Sequence, residues 1–148
     1  MLILFNMFSK EDAKRIRQEF WTSFGKEYPR KWLLYNTKLK EVSLKFTFTT
    51  KIAQVSIDID SEDELIKEYY YEKIWSLENI LKTEFIPEII LDPKYEIDYG
   101  KFIGRAYIQI DNVCIHNKKT WETVYEFLYK NMNELELFFY EYEDFIKG

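Results

Sequence analysis

The chain has 148 residues, a length typical of one domain, and 28 of them are Phe, Tyr or Trp against only four Gly and three Pro. This composition excludes a disordered or loop-rich chain and predicts one packed core. The formal charge of −5 conceals an asymmetry along the chain, and the single cysteine, Cys114, excludes an intramolecular disulfide and favours a reducing, cytoplasmic compartment.

The beginning of the chain does not have the pattern of a secretion signal. Residues 1–5 are apolar, but the run is too short for a signal-peptide core and lacks a basic start and a small-residue cleavage site. No apolar run approaches the ~20 residues that a membrane-spanning helix needs, so we expect a soluble protein with no membrane partner. Because a second methionine, Met7, follows closely, residues 1–6 are either an extension from an upstream start or a short strand.

A helix is expected first. Ser9 precedes two acidic residues, an arrangement in which the serine accepts a backbone N–H and the acids interact favourably with the helix dipole. The apolar residues that follow recur at helical spacing as far as Phe24, and Gly25 supplies a stop. The sequence therefore predicts a helix from Ser9 to about Phe24.

Three strands are predicted next, at residues 32–37, 42–50 and 53–60. In the second, Leu44 and Phe46 alternate with Lys45 and Thr47, and the third alternates in the same way. A period of two is typical of a sheet with one buried face. Because the connections are short, the three strands predict an antiparallel meander.

A second helix is predicted at residues 61–85. Ser61 and Glu64 match a capping box, an apolar stripe runs from Leu65 through Tyr69 towards residue 85, and Pro87 ends the pattern. Short strands are predicted at residues 89–91, 95–99, 102–110 and 113–115, and a final helix runs from near residue 117 almost to the end.

These elements together predict the fold class. The order is α-β-β-β-α-β-β-α over residues 1–148, with no internal repeat, low-complexity tract or linker. We therefore expect a single α+β domain in which three helices cover one side of a mainly antiparallel sheet.

Charge is distributed unevenly along the chain. Residues 10–51 contain eleven Lys or Arg against five Asp or Glu, whereas residues 52–148 contain ten against twenty-one. Such a division can mark a basic surface for nucleic acid or for an acidic partner, complementary surfaces for self-association, or simply solvated faces of ordinary elements. The candidate nucleic-acid-binding residues are Arg17, Lys26, Arg30, Lys31, Lys38 and Lys40.

Signals for catalysis are few. Cys114 and His116 are the only cysteine and histidine; no further ligand completes a zinc site and nothing marks the thiol as activated, so we interpret both as structural. Asp58 and Asp60 share one strand face and are candidate ligands for a weakly bound divalent cation. We favour the alternative, a solvated strand end that leads into a helix N-terminus where acidic residues are preferred. The sequence predicts no catalytic residue and no cofactor.

Four segments carry a resemblance to a known family: residues 7–14, Glu-Phe-Trp-Thr-Ser-Phe-Gly at 19–25, Gly-Arg-Ala-Tyr-Ile at 104–108, and Asn-Lys-Lys-Thr-Trp at 117–121. Over about residues 7–147 the chain resembles a bacterial and archaeal family of domains of unknown function, which occurs alone or attached to restriction-type nuclease domains. The resemblance implies a role near nucleic-acid processing or defence, with nucleic acid or a nuclease-system protein as partner. It implies no catalytic residue.

The predicted order α-β-β-β-α-β also resembles the core of the PD-(D/E)XK nucleases. That core requires an acid on its second strand, and then Asp or Glu, one residue and Lys on its third. Here Asp60 stands where the lysine belongs, and the second predicted strand has no acid in residues 43–50. The resemblance therefore implies a degenerate nuclease-like domain that has lost its site.

The final helix has the most regular apolar pattern. Apolar and aromatic residues recur at spacings of four and three from Trp121 to Ile146, and further apolar residues widen this heptad seam. Either one edge meets a partner helix, or the whole helix packs within its own domain. We favour a non-enzymatic interaction domain that self-associates as a homodimer, and the candidate interface residues are Leu128, Leu135, Leu137, Phe138 and Tyr142.

Overall fold

The computed structural model describes residues 9–148, which form a four-stranded antiparallel sheet and four α-helices. The strands are β1 (Val42–Phe48), β2 (Ile52–Ile59), β3 (Ile90–Asp98) and β4 (Lys101–Asp111), in the spatial order β1-β2-β4-β3. The helices are α1 (Lys10–Glu27), α2 (Glu64–Ser76), α3 (Glu78–Ile80) and α4 (Trp121–Lys147). The predicted α+β class is confirmed. The alternatives for residues 1–6 lie outside the described residues.

Helix α1 begins where the sequence predicts and ends later. The Ser9 hydroxyl accepts the Asp12 N–H at 3.2 Å, as a helix cap does. Gly25 is not the stop, because the helix continues to Glu27 and ends where the Tyr28 N–H bonds to a carbonyl one turn earlier. Gly25 is exposed and adopts helical backbone, so its presence weakens the helix without ending it.

Two predicted strands are absent from the described part of the chain. Residues 34–37 form turns, and Leu34 has a φ of 45°, which lies outside the extended region that a strand requires. Asn112, with a φ of 60°, likewise turns the chain before the predicted strand at 113–115. The predicted meander is therefore a hairpin of β1 and β2. The apolar residues near Trp32 have the composition of a strand, but they lie in irregular chain, and the Trp32 ring packs onto Phe24 and Phe46.

The second predicted helix is divided into three pieces. Its start is capped by Asp63, whose carboxylate accepts the Leu65 N–H at 2.9 Å, and Ser61 instead accepts the Asp63 N–H. The capping box with Ser61 as the cap is therefore wrong. The helix breaks at Leu77, continues as α3, and ends in a single π-helical turn, Leu81–Phe85.

The two short strands predicted at 89–91 and 95–99 belong to one strand, β3. Its register against β4 shifts between Asp92 and Tyr95, where Pro93 cannot donate to the ladder. Pro93 is compatible with this position because β3 is an edge strand of the sheet.

The core lies between one face of the sheet and helices α1, α2 and α4. Leu44, Ile57 and Ala106 occupy this face on neighbouring strands, and all three are fully buried. Phe20 of α1 joins the layers, since its ring lies 4.7 Å from that of Phe48 and 5.2 Å from that of Trp121. The alternation predicted for β1 and β2 thus correctly identifies the apolar face.

Candidate functional site

The sheet face opposite the core, called the polar face below, contains a buried ion pair. Asp58 of β2 and Arg105 of β4 stand directly opposite each other in the register. The guanidinium donates from Nε to Oδ1 and from Nη2 to Oδ2, both at 2.8 Å, and the two side chains are only 4% and 10% exposed. A bidentate geometry of this kind is the strongest form of a carboxylate–guanidinium interaction.

Neighbouring polar side chains complete this arrangement. Arg105 Nη1 donates to Gln54 Oε1 at 2.8 Å, Gln54 Nε2 donates to Tyr95 Oη at 3.0 Å, and the Ser56 hydroxyl donates to Asp58 Oδ1 at 2.9 Å. The guanidinium carbon lies 4.4 Å from the centre of the Tyr95 ring, a cation–π contact. These five residues are called the Arg105 cluster. Its charges are paired within the cluster, so it can fix the polar face but offers no unpaired charge for chemistry.

Burial extends to a neighbouring tyrosine. The Tyr107 ring packs against the edge of the Tyr95 ring, with centroids 5.2 Å apart. Burial raises the pKa of the Tyr107 hydroxyl, and the nearby Tyr95 and Asp92 raise it further. The hydroxyl is therefore protonated at neutral pH and is available as a hydrogen-bond donor, not as a base.

The Arg105 cluster was missed in the sequence, although a signal for it exists. Arg105 is the one charged residue in the segment 102–110, and a charge in the middle of a buried strand requires a partner. The partner is Asp58, which the sequence suggests as a metal ligand. Both of its carboxylate oxygens are bonded to the guanidinium, and Asp60 instead pairs with Lys101 at 3.3 Å. Among residues 9–148, no group of three or more His, Cys, Asp or Glu is placed to hold a metal ion.

The candidate nucleic-acid-binding residues are spread over several elements. Arg17 and Lys26 are both exposed, but nine residues apart on α1 they lie on opposite sides of the helix. Arg30 pairs with the buried carboxylate of Glu136 and stacks over the Trp32 ring at 3.8 Å. The exposed residues Lys31, Lys38 and Lys40 follow in the connection to β1.

Glu136 explains why Arg30 is held in this way. Its second oxygen accepts the Leu33 N–H at 2.7 Å, so one carboxylate fixes the segment between α1 and β1 onto α4. The Tyr28 ring stacks on the Tyr129 ring at 4.3 Å and reinforces this attachment. The Arg30 guanidinium is therefore used in packing.

A cleft of about 1360 Å³ opens at the end of the sheet near the start of α2. Lys40, Lys94 and Lys101 line it together with Asp60 and Glu62, so charges of both signs face the same space. Such a mixture does not create the uniformly positive potential that phosphate backbones require.

Cys114 and His116 lie in the connection between β4 and α4. The backbone N–H and C=O of Cys114 both bond to the Thr120 hydroxyl, at 3.2 and 2.9 Å, which closes this segment into a compact turn. Both side chains are partly buried, and their interpretation as structural residues stays a prediction.

Comparison with known proteins identifies the family. The family described as a domain of unknown function (DUF4268) matches residues 16–143. The chain belongs to this family. The match extends from within α1 to within α4, so the complete sheet and the Arg105 cluster of this DUF4268 member fall inside it. No curated protein and no solved structure matches the chain.

The interface predicted on α4 of this DUF4268 member requires correction. Leu128, Leu135 and Phe138 are fully buried in the core of their own domain, because the heptad seam packs on the sheet and on the other helices. Tyr142 is partly buried against Phe138, with ring centroids 5.4 Å apart. Leu137, at 58% exposure, is the one member of the predicted set that is openly exposed.

Large apolar side chains, Leu137 among them, are exposed on the outer sides of α2 and α4. They are called the outer helix surface, they are between 48% and 78% exposed, and they comprise Leu65, Tyr69, Trp75, Leu137, Tyr140 and Phe145. Lys73 joins the two helices: its ammonium lies 4.6 Å from the Tyr69 ring centre and 5.6 Å from that of Phe145, and donates to the Phe145 carbonyl at 3.0 Å. The sequence misplaced Leu65 and Tyr69, because helical spacing alone assigned them to the buried stripe.

None of the helices in the described part of the chain is long and apolar enough to cross a membrane.

Proposed function

We propose that this DUF4268 member is a non-enzymatic interaction domain that forms a homodimer through the outer helix surface. The observation that carries the proposal is the concentration of exposed apolar side chains on α2 and α4, with Leu65 at 78%, Leu137 at 58% and Trp75 at 57% exposure. Single exposed apolar residues are common in monomers, whereas several on adjacent helices are typical of protein contacts.

The energetics favour such a contact. Fully burying one large apolar side chain contributes roughly 1.5–3 kcal/mol, so a few of these residues at the centre of an interface offset much of the entropic cost of association. A two-fold contact uses the same surface on both chains, so each exposed residue contributes twice. The outer helix surface contains Trp and Tyr, and these residue types are enriched among the interface residues that contribute most of the binding energy.

Size-exclusion chromatography with light scattering tests the homodimer. At about 100 µM, above the dissociation constant of an ordinary specific dimer, the wild-type protein should have the mass of two chains. Leu137→Glu and Trp75→Glu should have the mass of one chain, because each buries a charge in the contact. Tyr99→Glu is the matched control, since Tyr99 is fully exposed at the β3–β4 turn, outside the outer helix surface, and should leave the dimer intact. A wild-type monomer at this concentration would refute the proposal.

The biological setting is proposed from the sequence resemblance. We infer that the homodimer serves a nucleic-acid-processing or defence system as an accessory component, with a nuclease-system protein as a further partner. Direct nucleic-acid binding is the alternative. It is less favoured, because the Arg30 guanidinium is bonded to Glu136 and is not available to phosphate groups. A degenerate PD-(D/E)XK domain is also less favoured, since residues 32–37 do not form the first of the three consecutive strands on which that resemblance depends.

A further inference from the structure

One end of β4 extends beyond the edge strand beside it. β4 pairs with β2 as far as Asp111, which stands opposite Ile52, whereas β3 begins only at Ile90, opposite Tyr107. Within residues 9–148, residues 108–111 of β4 therefore have a strand on one side and none on the other.

The hydrogen-bonding phase of the sheet shows which backbone groups face the open side. The Thr49 N–H donates to the Ile52 carbonyl and the Asp60 N–H donates to the Glu41 carbonyl, both at 2.9 Å, so the even-numbered residues of β2 bond to β1. The odd-numbered residues of β2 bond to β4, where the register pairs them with even-numbered residues such as Ile110. Gln109 and Asp111 therefore direct their N–H and C=O groups away from β2.

The chain leaves this edge open because it turns before β3 begins. Ile86 and Ile89 are both 2% exposed, and the Ile89 N–H bonds to the Ile86 carbonyl at 3.2 Å, so the segment folds towards the core. Pro87 and Glu88 form the turn between them. A strand that continued β3 backwards would occupy the place opposite Gln109 and Asp111.

A groove of about 510 Å³ lies along this edge, between β4 and α4. Its apolar lining includes Ile108, Ile110 and Phe127, which are partly buried, and Ile90, which is 49% exposed. Ala106, on the same face one step earlier along β4, is fully buried. The helical cover of the sheet thus ends where the edge opens. Glu88 and Asp111 line the groove together with Lys130, so two acidic side chains and one basic side chain face it.

We propose that this groove binds an extended peptide segment of a partner protein, which adds to the sheet as a strand antiparallel to β4. Its backbone pairs with Gln109 and Asp111, because unpaired edge groups select an extended chain. The peptide side chains opposite Ile108 and Ile110 point towards Phe127 and are apolar. The peptide side chains opposite Gln109 and Asp111 point to the polar face, where the Asp111 carboxylate favours a basic residue. The surface is separate from the outer helix surface, so this proposal does not depend on the homodimer.

Isothermal titration calorimetry with three synthetic peptides tests the backbone pairing. The probe is an acetylated and amidated hexapeptide of alternating valine and lysine, which should bind the wild-type protein with a dissociation constant below about 1 mM. In the proposed register the lysine amides face β4 and the valine amides face away. N-methylation of the lysine amides should abolish binding, whereas N-methylation of the valine amides should leave the affinity within about twofold. Equal affinity of both methylated peptides, or no saturable heat with the unmethylated peptide, would overturn the proposal.

Two substitutions at one position provide the matching test on the protein. Asp111→Pro removes the N–H that faces the groove and leaves the β2 ladder intact, because that N–H points away from β2. Asp111→Ala keeps the N–H and loses the carboxylate, together with the hydrogen bond that Gln109 Nε2 donates to Asp111 Oδ1 at 2.8 Å. The proline variant loses the same groups, so the comparison of the two variants isolates the N–H. The proline variant should bind the peptide about fivefold to tenfold more weakly than the alanine variant, the effect of one lost hydrogen bond. Equal affinities of two folded variants would overturn the pairing, and the methylated peptides decide the matter if the proline variant does not fold. Leu137→Glu should bind the peptide as the wild type does, which separates this test from that of the homodimer.

Discussion

Arg105 and Asp58 are the residues that determine the character of the polar face. Removing two charges from water is costly, and their attraction repays that cost only when the geometry is good and the remaining hydrogen bonds are made. Both conditions hold here, because the pair is bidentate and Gln54 and Ser56 bond its remaining groups. The pair therefore contributes less to net stability than to fixing the register of β2 against β4. A shift of that register would separate the two charges.

Replacing Arg105 should show this dependence. Arg105→Met leaves the Asp58 carboxylate buried and unpaired, so the free energy of unfolding should fall by about 3–5 kcal/mol, measured by urea denaturation. The double variant Arg105→Met with Asp58→Leu should recover most of that loss, because neither charge remains. Lys101→Met is the matched control, since its ion pair with Asp60 is half exposed, and it should cost less than about 1 kcal/mol. A double variant as unstable as Arg105→Met would contradict the assignment of the loss to an unpaired charge.

At the scale of elements, the close approach of α2 to β4 depends on a glycine. A Cβ at Gly104 would lie 2.8 Å from Cδ2 of the Tyr71 ring and 3.5 Å from Cβ of Ile59, so the helix packs where β4 has no side chain. Burial also raises the pKa of the Tyr71 hydroxyl, as expected for a ring held between a helix and a sheet. The contact fixes α2 on the sheet and leaves its opposite side, with Leu65 and Tyr69, exposed.

Two alanine substitutions separate this packing effect from a backbone effect. Gly104→Ala should destabilise the protein by about 1–3 kcal/mol, because the added methyl group clashes with Tyr71. Gly25→Ala, in the exposed part of α1 with no atom within 4 Å of the added Cβ, should stabilise it by about 0.5–1 kcal/mol. Both values are measurable by thermal or urea unfolding. Opposite signs are the expected result, and destabilisation by both variants would indicate that clash with Tyr71 is not the cause.

At the scale of the whole molecule, the two faces of the sheet differ in how they are stabilised. One face is covered by α1, α2 and α4 through contacts such as that of Phe20 with Phe48, and the other contains the Arg105 cluster. The helices are amphipathic towards the sheet, yet α2 and α4 also have large apolar side chains on their outer sides. Under the proposed function, this second apolar side is the surface that a homodimer buries.

A homodimer makes stability depend on protein concentration. A partner that binds only the folded state raises the apparent stability by mass action, so the wild-type thermal midpoint should rise by about 2–4 °C for each tenfold increase in concentration. Leu137→Glu should unfold at a midpoint that does not change with concentration. Differential scanning calorimetry at several concentrations measures both, and a wild-type midpoint independent of concentration would contradict the proposed assembly.

Local patterns predicted much of the fold and little of the candidate surfaces. The alternation in β1 and β2 correctly identified the side of the sheet that contains Leu44 and Ile57 as apolar, because a period of two directly reflects which side chains share a face. The seam in α4 was read as an interface at Leu128, whereas that side chain is fully buried in the core of its own domain. The prediction of a strand at residues 32–37 was wrong, because aromatic and apolar residues favour a strand in sequence whether they lie in a strand or in a turn. The cap at Asp63 was missed because Ser61 offered an equally good local pattern.

What the sequence determined by itself is the α+β class, the positions of the main helices and strands, and the apolar side of β1 and β2. Those properties follow from spacing along one chain, so they need no knowledge of distant residues. Only the tertiary structure decided that Arg105 meets Asp58, that Leu65 and Leu137 stay exposed, and that β4 extends past the start of β3. Each of these depends on how segments far apart in sequence come together. Burial and pairing require two surfaces in contact, whereas a periodic pattern in the sequence describes only one of the two surfaces.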